Sequence, residues 1–424
     1  MLTIPYIREH RDEVIRLLKI KNFDATDIIN QLIEADNSRR DLQVKTNDLQ
    51  AEMNRISKEI GRLFNNGEIE QANQAKTRTS EIKSSIKALS NEMQEASDRV
   101  NALLVQVPNV PNELVPPGKS EADNETVREG GNKPDLDEKA LPHWELAKKY
   151  DIIDFDLGVK LTGAGFPVYK GAGARLQRAL ITWFLEQNTA AGYTELLPPL
   201  VVNADSGFGT GQLPDKEGQM YHIQSDDFYL IPTAEVPVTN IYRDVILEAS
   251  MLPIKNTAYT PCFRREAGSY GKDVRGLNRV HQFDKVEIVQ IQSAENSYAA
   301  LDEMLEHVES LVRKLELPYR ILRLCGGDLS FTSALTYDFE VYAAAQDKWL
   351  EVSSVSNFES YQANRLKLRH KKEGEKKPVL AHTLNGSALA LPRIVAALLE
   401  NNQAEAGIRV PEVLQPLMGT ELIK

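Results

Sequence analysis

Apolar residues recur along the first quarter of the chain at the spacing of a helix that packs on another helix. Leu42, Leu49, Ile56 and Leu63 fall at sevens, with Met53 and Ile60 between them. Asn65, Asn66 and Gly67 break the pattern. A second series follows through Ala75, Ile82, Ile86, Leu89, Met93, Ala96, Val100 and Leu103. Both keep the heptad spacing of a left-handed coiled coil, and one break between two such runs predicts an antiparallel helical hairpin. Each helix of about 38 residues would be about 57 Å long at about 1.5 Å per residue. An arm of that length, over about 27–104, has too little surface to be a domain core, so it is expected to project and touch a partner. The heptads by themselves favour a structural or dimerising coiled coil. Residues 1–20 read as a short cap with one amphipathic helix carrying Val14, Ile15, Leu17 and Leu18.

Beyond the hairpin the period changes. Residues 106–142 are rich in Pro, Gly and charge and read as a linker that wraps rather than folds alone. From His143 the pattern is globular. A helix carrying Leu176, Ala179, Leu180, Trp183 and Phe184 ends near Gly192, and a strand then meets Pro198 and Pro199. The polar, Gly-rich stretch 209–223 is expected to be a lid. Thr233 and Glu235 are expected at the end of an apolar strand. A helical period covers 295–316, and two strands with a loop cover 337–352. The basic run from Leu366 to Pro378 reads as a solvated loop, with a nucleic-acid contact as the alternative. The chain from His382 reads as strand, turn, then a helix beginning near Pro392.

The stretch from Thr260 to Gln290 organises the rest. It packs Arg264, Arg265 and Glu266 together, turns through Gly268, Gly271 and Gly276, and returns with alternation. Phe283, Lys285, Glu287 and Val289 point one way; Asp284, Val286, Ile288 and Gln290 point the other. This predicts strand, loop, strand. Arg264, Glu266, Phe283 and Glu287 could then share one sheet face. Such a face offers a cation for phosphate or carboxylate, an aromatic for stacking, and carboxylates for an amine. A hairpin with solvated charges is the alternative.

Composition narrows the classes. With 424 residues, two or three domains are expected. Apolar residues at 42% and charged residues at 26% are ordinary for a soluble globular protein. A formal net charge of -11 confines any nucleic-acid contact to local basic patches. The predicted arm does not declare itself by charge, with about 11 basic and about 13 acidic residues from Asp27 to Leu104. Arg39, Arg40, Arg55, Lys58, Arg62, Lys76, Arg78 and Lys83 could still line one face. The two cysteines, Cys262 and Cys325, support neither a disulfide framework nor a multi-cysteine zinc site, so a reducing compartment is expected. No signal-peptide pattern and no membrane-spanning apolar run is read, which predicts a cytoplasmic protein.

Several motifs resemble those of class II aminoacyl-tRNA synthetases: the helix and proline-bearing strand over Leu176–Pro199, the FRRE strand-loop-strand over Phe263–Glu287, and Arg393 at a helix start. TAEVP (Thr233–Pro237), FRREAGSYGKDVRG (Phe263–Gly276), RVHQFDKVE (Arg279–Glu287), EVSSVSNFESYQANR (Glu351–Arg365) and HTLNGSALALPR (His382–Arg393) are similar to the seryl-tRNA synthetase family, bacterial type. The match runs in order along essentially the whole chain, and the N-terminal hairpin fits that family's arm. Ala388 and Pro392 stand where glycines are common in the class, and proline suits a first helical turn.

The resemblance implies an α+β fold. A coiled-coil arm would precede a six- or seven-stranded antiparallel sheet flanked by helices, with the first motif at a homodimer interface. It implies a tRNA-binding domain over 1–109, a linker over 110–142 and a catalytic domain over 143–424. The implied reaction joins serine and ATP to seryl-adenylate, then transfers serine to tRNA-Ser, and to the selenocysteine tRNA where one exists. The serine carboxylate attacks the α-phosphorus, so the protein aligns two anions and excludes water without supplying a nucleophile. His143, His222, His281 and His382 accordingly have no evident nucleophile partner.

By the same resemblance, Arg264, Glu351 and Arg393 are the catalytic residues. Arg264 would bridge the serine carboxylate and the α-phosphate. Glu266 would accept from the adenine amino group, Phe283 would stack on the ring, and Arg393 and Arg279 would hold the outer phosphates. Arg265, Val280, Val352 and Ser353 complete the expected ATP site. Glu351 and Ser354 would hold Mg2+ brought with ATP, with no zinc expected. Thr233, Ala234, Glu235, Arg264, Glu287 and Ser387 would form the serine pocket. The expected partners are ATP, L-serine, a second copy of the chain and tRNA-Ser, gripped through its long variable arm by the hairpin; no membrane is expected. Two other readings remain: a relative that loads a carrier protein, which would lack the arm, and a non-catalytic coiled-coil paralogue, which would lack Arg264, Glu351 or Arg393.

Overall fold

The computed structural model describes residues 1–215, 218–267, 275–372 and 374–424. The expected turn glycines Gly268 and Gly271 lie outside the described residues. The backbone divides into two units. One comprises Met1–Lys19 and Phe23–Pro108; the other comprises Ile20–Asn22 and Asn109–Lys424.

In the first unit the heptads form two long helices, α1 (Thr26–Asn65) and α2 (Ile69–Leu104). Gly67 turns the chain between them at φ +77°, a region that favours glycine. Every residue of both heptad series is buried or half-buried, because two helices enclose only the seam they share. Fully buried side chains are therefore few: Ile29, Leu32, Ala35, Asp36 and Leu63 in α1, and Ala72, Ile82, Val100 and Leu104 in α2. The Asp36 carboxylate takes Arg8 at 2.9 Å and Arg39 at 2.7 Å. Arg78 of α2 reaches Glu52 of α1 at 3.0 Å. The N-terminal cap holds two short helices, Ile4–Glu9 and Arg11–Leu18, rather than one. His10, at φ -115°, leaves the helical region between them.

The second unit is built on an eight-stranded sheet. Its strands are β1 (Glu125–Gly130), β2 (Thr194–Glu195), β3 (Ile254–Phe263), β4 (Gln282–Gln292), β5 (Tyr319–Arg323), β6 (Leu335–Ala343), β7 (Lys348–Asn357) and β8 (His382–Ala390). The spatial order is β1-β5-β6-β7-β8-β4-β3-β2. All pairs are antiparallel except β2 with β3, which is parallel. The sheet thus has more strands than the six or seven expected. One edge comes from the stretch expected to be a linker that wraps rather than folds alone, whose Glu125–Gly130 pairs with β5. That strand carries exposed residues on both faces and no alternation, so its sequence gives no strand signal.

Around the sheet lie α3 (His143–Lys149), α4 (Gly171–Ala190), α5 (Glu235–Asn240), α6 (Ser297–Lys314), α7 (Ser360–Leu366) and α8 (Leu391–Asn401). Leu180 and Phe184 of α4, Val308 and Val312 of α6, and Ile394 and Leu398 of α8 share one apolar core with Val286, Ile288, Phe339 and Val341 of the sheet. The period of two in β4 sends Val286 and Ile288 to that core and leaves Lys285 and Glu287 on the other face. Three local details differ from the sequence reading. Glu235 opens helix α5 rather than ending a strand, and the Thr233 hydroxyl accepts from its backbone N–H at 3.2 Å. β8 runs directly into α8 with no turn, Pro392 sitting in the first helical turn. In the basic run, Arg369–Lys371 is a strand paired with Ile246–Glu248 and Val379–Leu380.

Candidate active site

On the sheet face away from the apolar core, β4, β7, β8 and the start of α5 bring most of the expected residues together. Glu287 of β4 faces Ser387 of β8 in register. Its Oε2 receives Lys285 Nζ at 2.6 Å, the Thr233 hydroxyl at 3.2 Å and the Ser387 hydroxyl at 3.5 Å. Glu235 lies alongside, accepting Gln362 Nε2 of α7 at 2.6 Å. Burial, and after it the Glu287 charge, push the Glu235 carboxyl up to about 7. Thr233, Ala234, Glu235, Glu287 and Ser387 are all buried. The result is a buried polar cluster with two carboxylates and one lysine. These groups already pair with one another, and their chemistry suits a ligand that carries a cation and a hydroxyl.

Next to it, the Arg264 guanidinium lies 5.3 Å from the centre of the Phe283 ring and donates Nε to the Pro232 carbonyl at 3.3 Å. The backbone N–H of Arg264 is fixed by the His281 carbonyl at 2.9 Å. Glu266 does not pair with Arg264; it accepts Arg279 Nη1 at 3.1 Å. Its backbone has φ +49°. Arg265 is exposed, its backbone N–H held by the Gln219 carbonyl at 2.9 Å. Val280 is buried at the start of the return.

The third cluster depends on a β-bulge. Asp338 faces Ser354 and Glu340 faces Glu351 across β6 and β7, and the register shifts between them at Val352. Residues 351 and 354 would otherwise point to opposite faces; the extra residue puts both on one face. The Val352 side chain enters the apolar core. The Ser353 hydroxyl is occupied, donating to the Ser387 carbonyl at 2.6 Å. The Ser354 hydroxyl bonds the Asp338 carboxyl, which burial and then Glu351 raise well above its ordinary range. Asp338 Oδ1 is a buried oxygen with no hydrogen-bond partner among the described residues. Arg393 Nη1 donates to the Glu351 carbonyl at 2.8 Å and lies 3.5 Å from its carboxylate. Among the described residues no three His, Cys, Asp or Glu side chains converge.

The sequence reading missed Lys285, Gln362 and Asp338. Lys285 had a signal, since it lies two residues from Glu287 on one strand face; the other two come from distant elements. It also gave His382 no hydroxyl partner, yet its Nδ1 lies 2.8 Å from the Ser297 hydroxyl. Ser297 is fully buried, and burial pushes His382 down to about 4, so the pair is internal.

Residues 1–111 match the seryl-tRNA synthetase N-terminal domain, and residues 220–402 match the class II tRNA synthetase core domain for G, H, P, S and T. A serine–tRNA ligase of Salinibacter ruber is 50% identical over 420 residues, covering 99% of this chain and 98% of that one. That of Citrifermentans bemidjiense is 47% identical over 421 residues, covering 99% of both. The crystal structure of seryl-tRNA synthetase from Pyrococcus horikoshii complexed with ATP superposes with a TM-score of 0.92 at 32% identity, covering 99% of both chains.

Proposed function

The chain belongs to the seryl-tRNA synthetases of class II, and from that membership we infer a ligase that joins L-serine to tRNA-Ser through a seryl-adenylate made from ATP. The observation that carries the reading is one sheet face bearing the Thr233, Glu287 and Ser387 cluster beside Arg264 over Phe283. The same enzyme would serylate a selenocysteine tRNA where one is present.

Serine enters with its ammonium toward Glu235 and Glu287 and its hydroxyl toward Ser387. Lys285 already balances Glu287, so the arriving ammonium favours ionised Glu235, and binding releases its proton. A pocket that hydrogen-bonds the hydroxyl rejects alanine, because its own groups would be left unpaired. Arg264 spans the serine carboxylate and the α-phosphate, its planar fork suited to both anions. Phe283 takes the adenine ring by stacking, and Glu266 accepts from its amino group. Glu266 and Arg279 are paired to each other without ligand, so ATP separates them and sends Arg279 to phosphate. Arg393, at the start of α8, holds the outer phosphate, the helix start adding favourable field.

Glu351, Ser354 and Asp338 supply a carboxylate, a hydroxyl and an unsatisfied buried oxygen, a donor set that fits a hard divalent cation. Mg2+ arriving with ATP would there neutralise phosphate charge. The chain's own residues provide alignment and water exclusion; none of them acts as a nucleophile.

The hairpin is proposed to grip the long variable arm of tRNA-Ser by shape and phosphate contact. Among the described residues, Arg40, Arg55, Lys58 and Lys83 carry no carboxylate partner and are available for phosphate, whereas Arg39, Arg62 and Arg78 are engaged. A homodimer is supported by Leu197, 89% exposed, followed by exposed Leu200 and Val201. No described helix is long and apolar enough to cross a membrane, and a cytoplasmic location is proposed.

The test is amino-acid-dependent ATP–pyrophosphate exchange with serine, threonine, alanine and glycine, without tRNA. Exchange with serine alone is the expected result. Exchange with alanine or glycine instead would point to a carrier-loading relative, and none at all to a non-catalytic one.

A further inference from the structure

His143, which the reaction leaves unused, sits at the centre of a closed network behind the ATP site. Its side chain and that of Glu400 are both fully buried. Glu400 Oε1 accepts the His143 backbone N–H at 2.9 Å, ring Nδ1 at 2.8 Å and Gln346 Nε2 at 2.8 Å. Its Oε2 accepts the backbone N–H groups of Ala345 at 3.1 Å and Gln346 at 3.2 Å. No cation is needed, because hydrogen bonds occupy both oxygens. The other ring nitrogen, Nε2, accepts the Leu277 N–H at 2.8 Å. A nitrogen that accepts carries no hydrogen, so the ring's single proton sits on Nδ1, facing Glu400.

The network reaches forward from there. Gly276 has φ +60°, and a Cβ on it would stand 2.2 Å from His143 Nε2, so the chain lies directly on the ring. Gln346 Oε1 accepts Asn278 Nδ2 at 2.8 Å. The Asn278 carbonyl accepts Arg393 Nε at 2.9 Å. Residues 276–278, which lead into Arg279, are thus held from α3, from α8 and from the turn between β6 and β7. The same segment supplies the acceptor that orients Arg393.

We propose that His143, Gln346 and Glu400 are positioning residues for ATP, holding the backbone that aims Arg279 and the guanidinium of Arg393 at the phosphates. The inference rests on the reading of those two arginines given above. A network that only stabilised the fold would affect both substrates alike. One that positions the phosphate-holding arginines acts on ATP.

The experiment measures KM for ATP and for serine in pyrophosphate exchange, with thermal melting alongside, for His143→Asn, His143→Gln and Gln346→Met. Asparagine keeps a donor near Nδ1 but removes the acceptor for Leu277; glutamine restores an acceptor near Nε2. The expected result is a rise in KM for ATP of about tenfold in His143→Asn and Gln346→Met, serine KM within about twofold, and His143→Gln closer to wild type. Wild-type KM for ATP in all three variants overturns the proposal. So does an equal change for both substrates that tracks the loss of melting temperature. Gln346 is half-buried, so its variant decides the matter if His143→Asn fails to fold. Absence of serine-dependent exchange in the wild type would instead sink the functional reading.

Discussion

The two units of this chain spend their sequence differently. The hairpin α1–α2 uses 40 and 36 residues to bury one narrow seam, and its polar residues face water on every other side. The sheet unit buries carboxylates, amides and a lysine next to an apolar core. In the first, charge is solvated and each residue answers to its neighbours three and four positions away. In the second, charge is desolvated and each group answers to partners brought from far along the chain. Chemistry that must discriminate serine and align two anions needs the second environment, since electrostatic interactions strengthen where water is excluded. The proposed recognition of a long, charged, regular surface suits the first.

The contrast breaks most visibly with Glu287→Ala. It should abolish serine-dependent pyrophosphate exchange, a loss of at least about a thousandfold, while leaving the hairpin intact by circular dichroism. Retained exchange would remove Glu287 from the pocket. Replacing Arg39–Lys87 by a short turn tests the opposite half. Exchange should persist within about twofold and charging of tRNA-Ser should fall about a hundredfold. Normal charging would make the hairpin structural only.

A buried charge in the hairpin unit sharpens the comparison further. Asp36 is the exception there, a buried carboxylate held by Arg8 and Arg39. Asp36→Ala should destabilise that unit by about 2 kcal/mol, because the part-exposed Arg8 and Arg39 lose a charge-assisted partner. Urea unfolding followed at 222 nm, with tryptophan fluorescence alongside to follow the other unit, separates the two, since Trp144, Trp183 and Trp349 all lie in the sheet unit. An unchanged midpoint would mean the pair contributes nothing.

The smallest effect is one of pH. Glu235, pushed up to about 7, keeps a proton that the unfolded chain has already lost above its ordinary value of 4.5. Its contribution to stability therefore declines as pH rises through that window. Serine binding runs the other way, because the ammonium needs the ionised form. Between pH 6 and 8, kcat/KM for serine should rise about tenfold, and the rise should vanish in Glu235→Gln. A flat wild-type profile would place the serine ammonium elsewhere.

Much of the site was legible because its parts lie on short, regular stretches. The strand period puts Phe283 and Glu287 on one face, with Lys285 between them, while the roles of Phe283, Glu287 and Arg393 come from the family resemblance. Other parts had no local signal. Glu351 and Ser354 are three apart, a spacing that a regular strand would send to opposite faces; only the shift against β6 unites them. The pairing of Glu266 with Arg279, in place of Arg264, depends on how the two limbs close. The edge strand Glu125–Gly130 hid in a stretch of charge and glycine because its partner, not its pattern, makes it a strand.

The sequence by itself determined the hairpin, its seam and its turn, because a heptad repeat is a local code read within one or two helical turns. It also determined which residues of β4 share a face, because a period of two leaves no choice. Only the tertiary structure decided which carboxylate meets which cation, where the bulge falls, and that His143 is locked in one tautomer between Glu400 and Leu277. Those outcomes depend on burial and on how separate elements close on one another, as His143 does on Leu277 and Glu400, and neither is encoded in any local window.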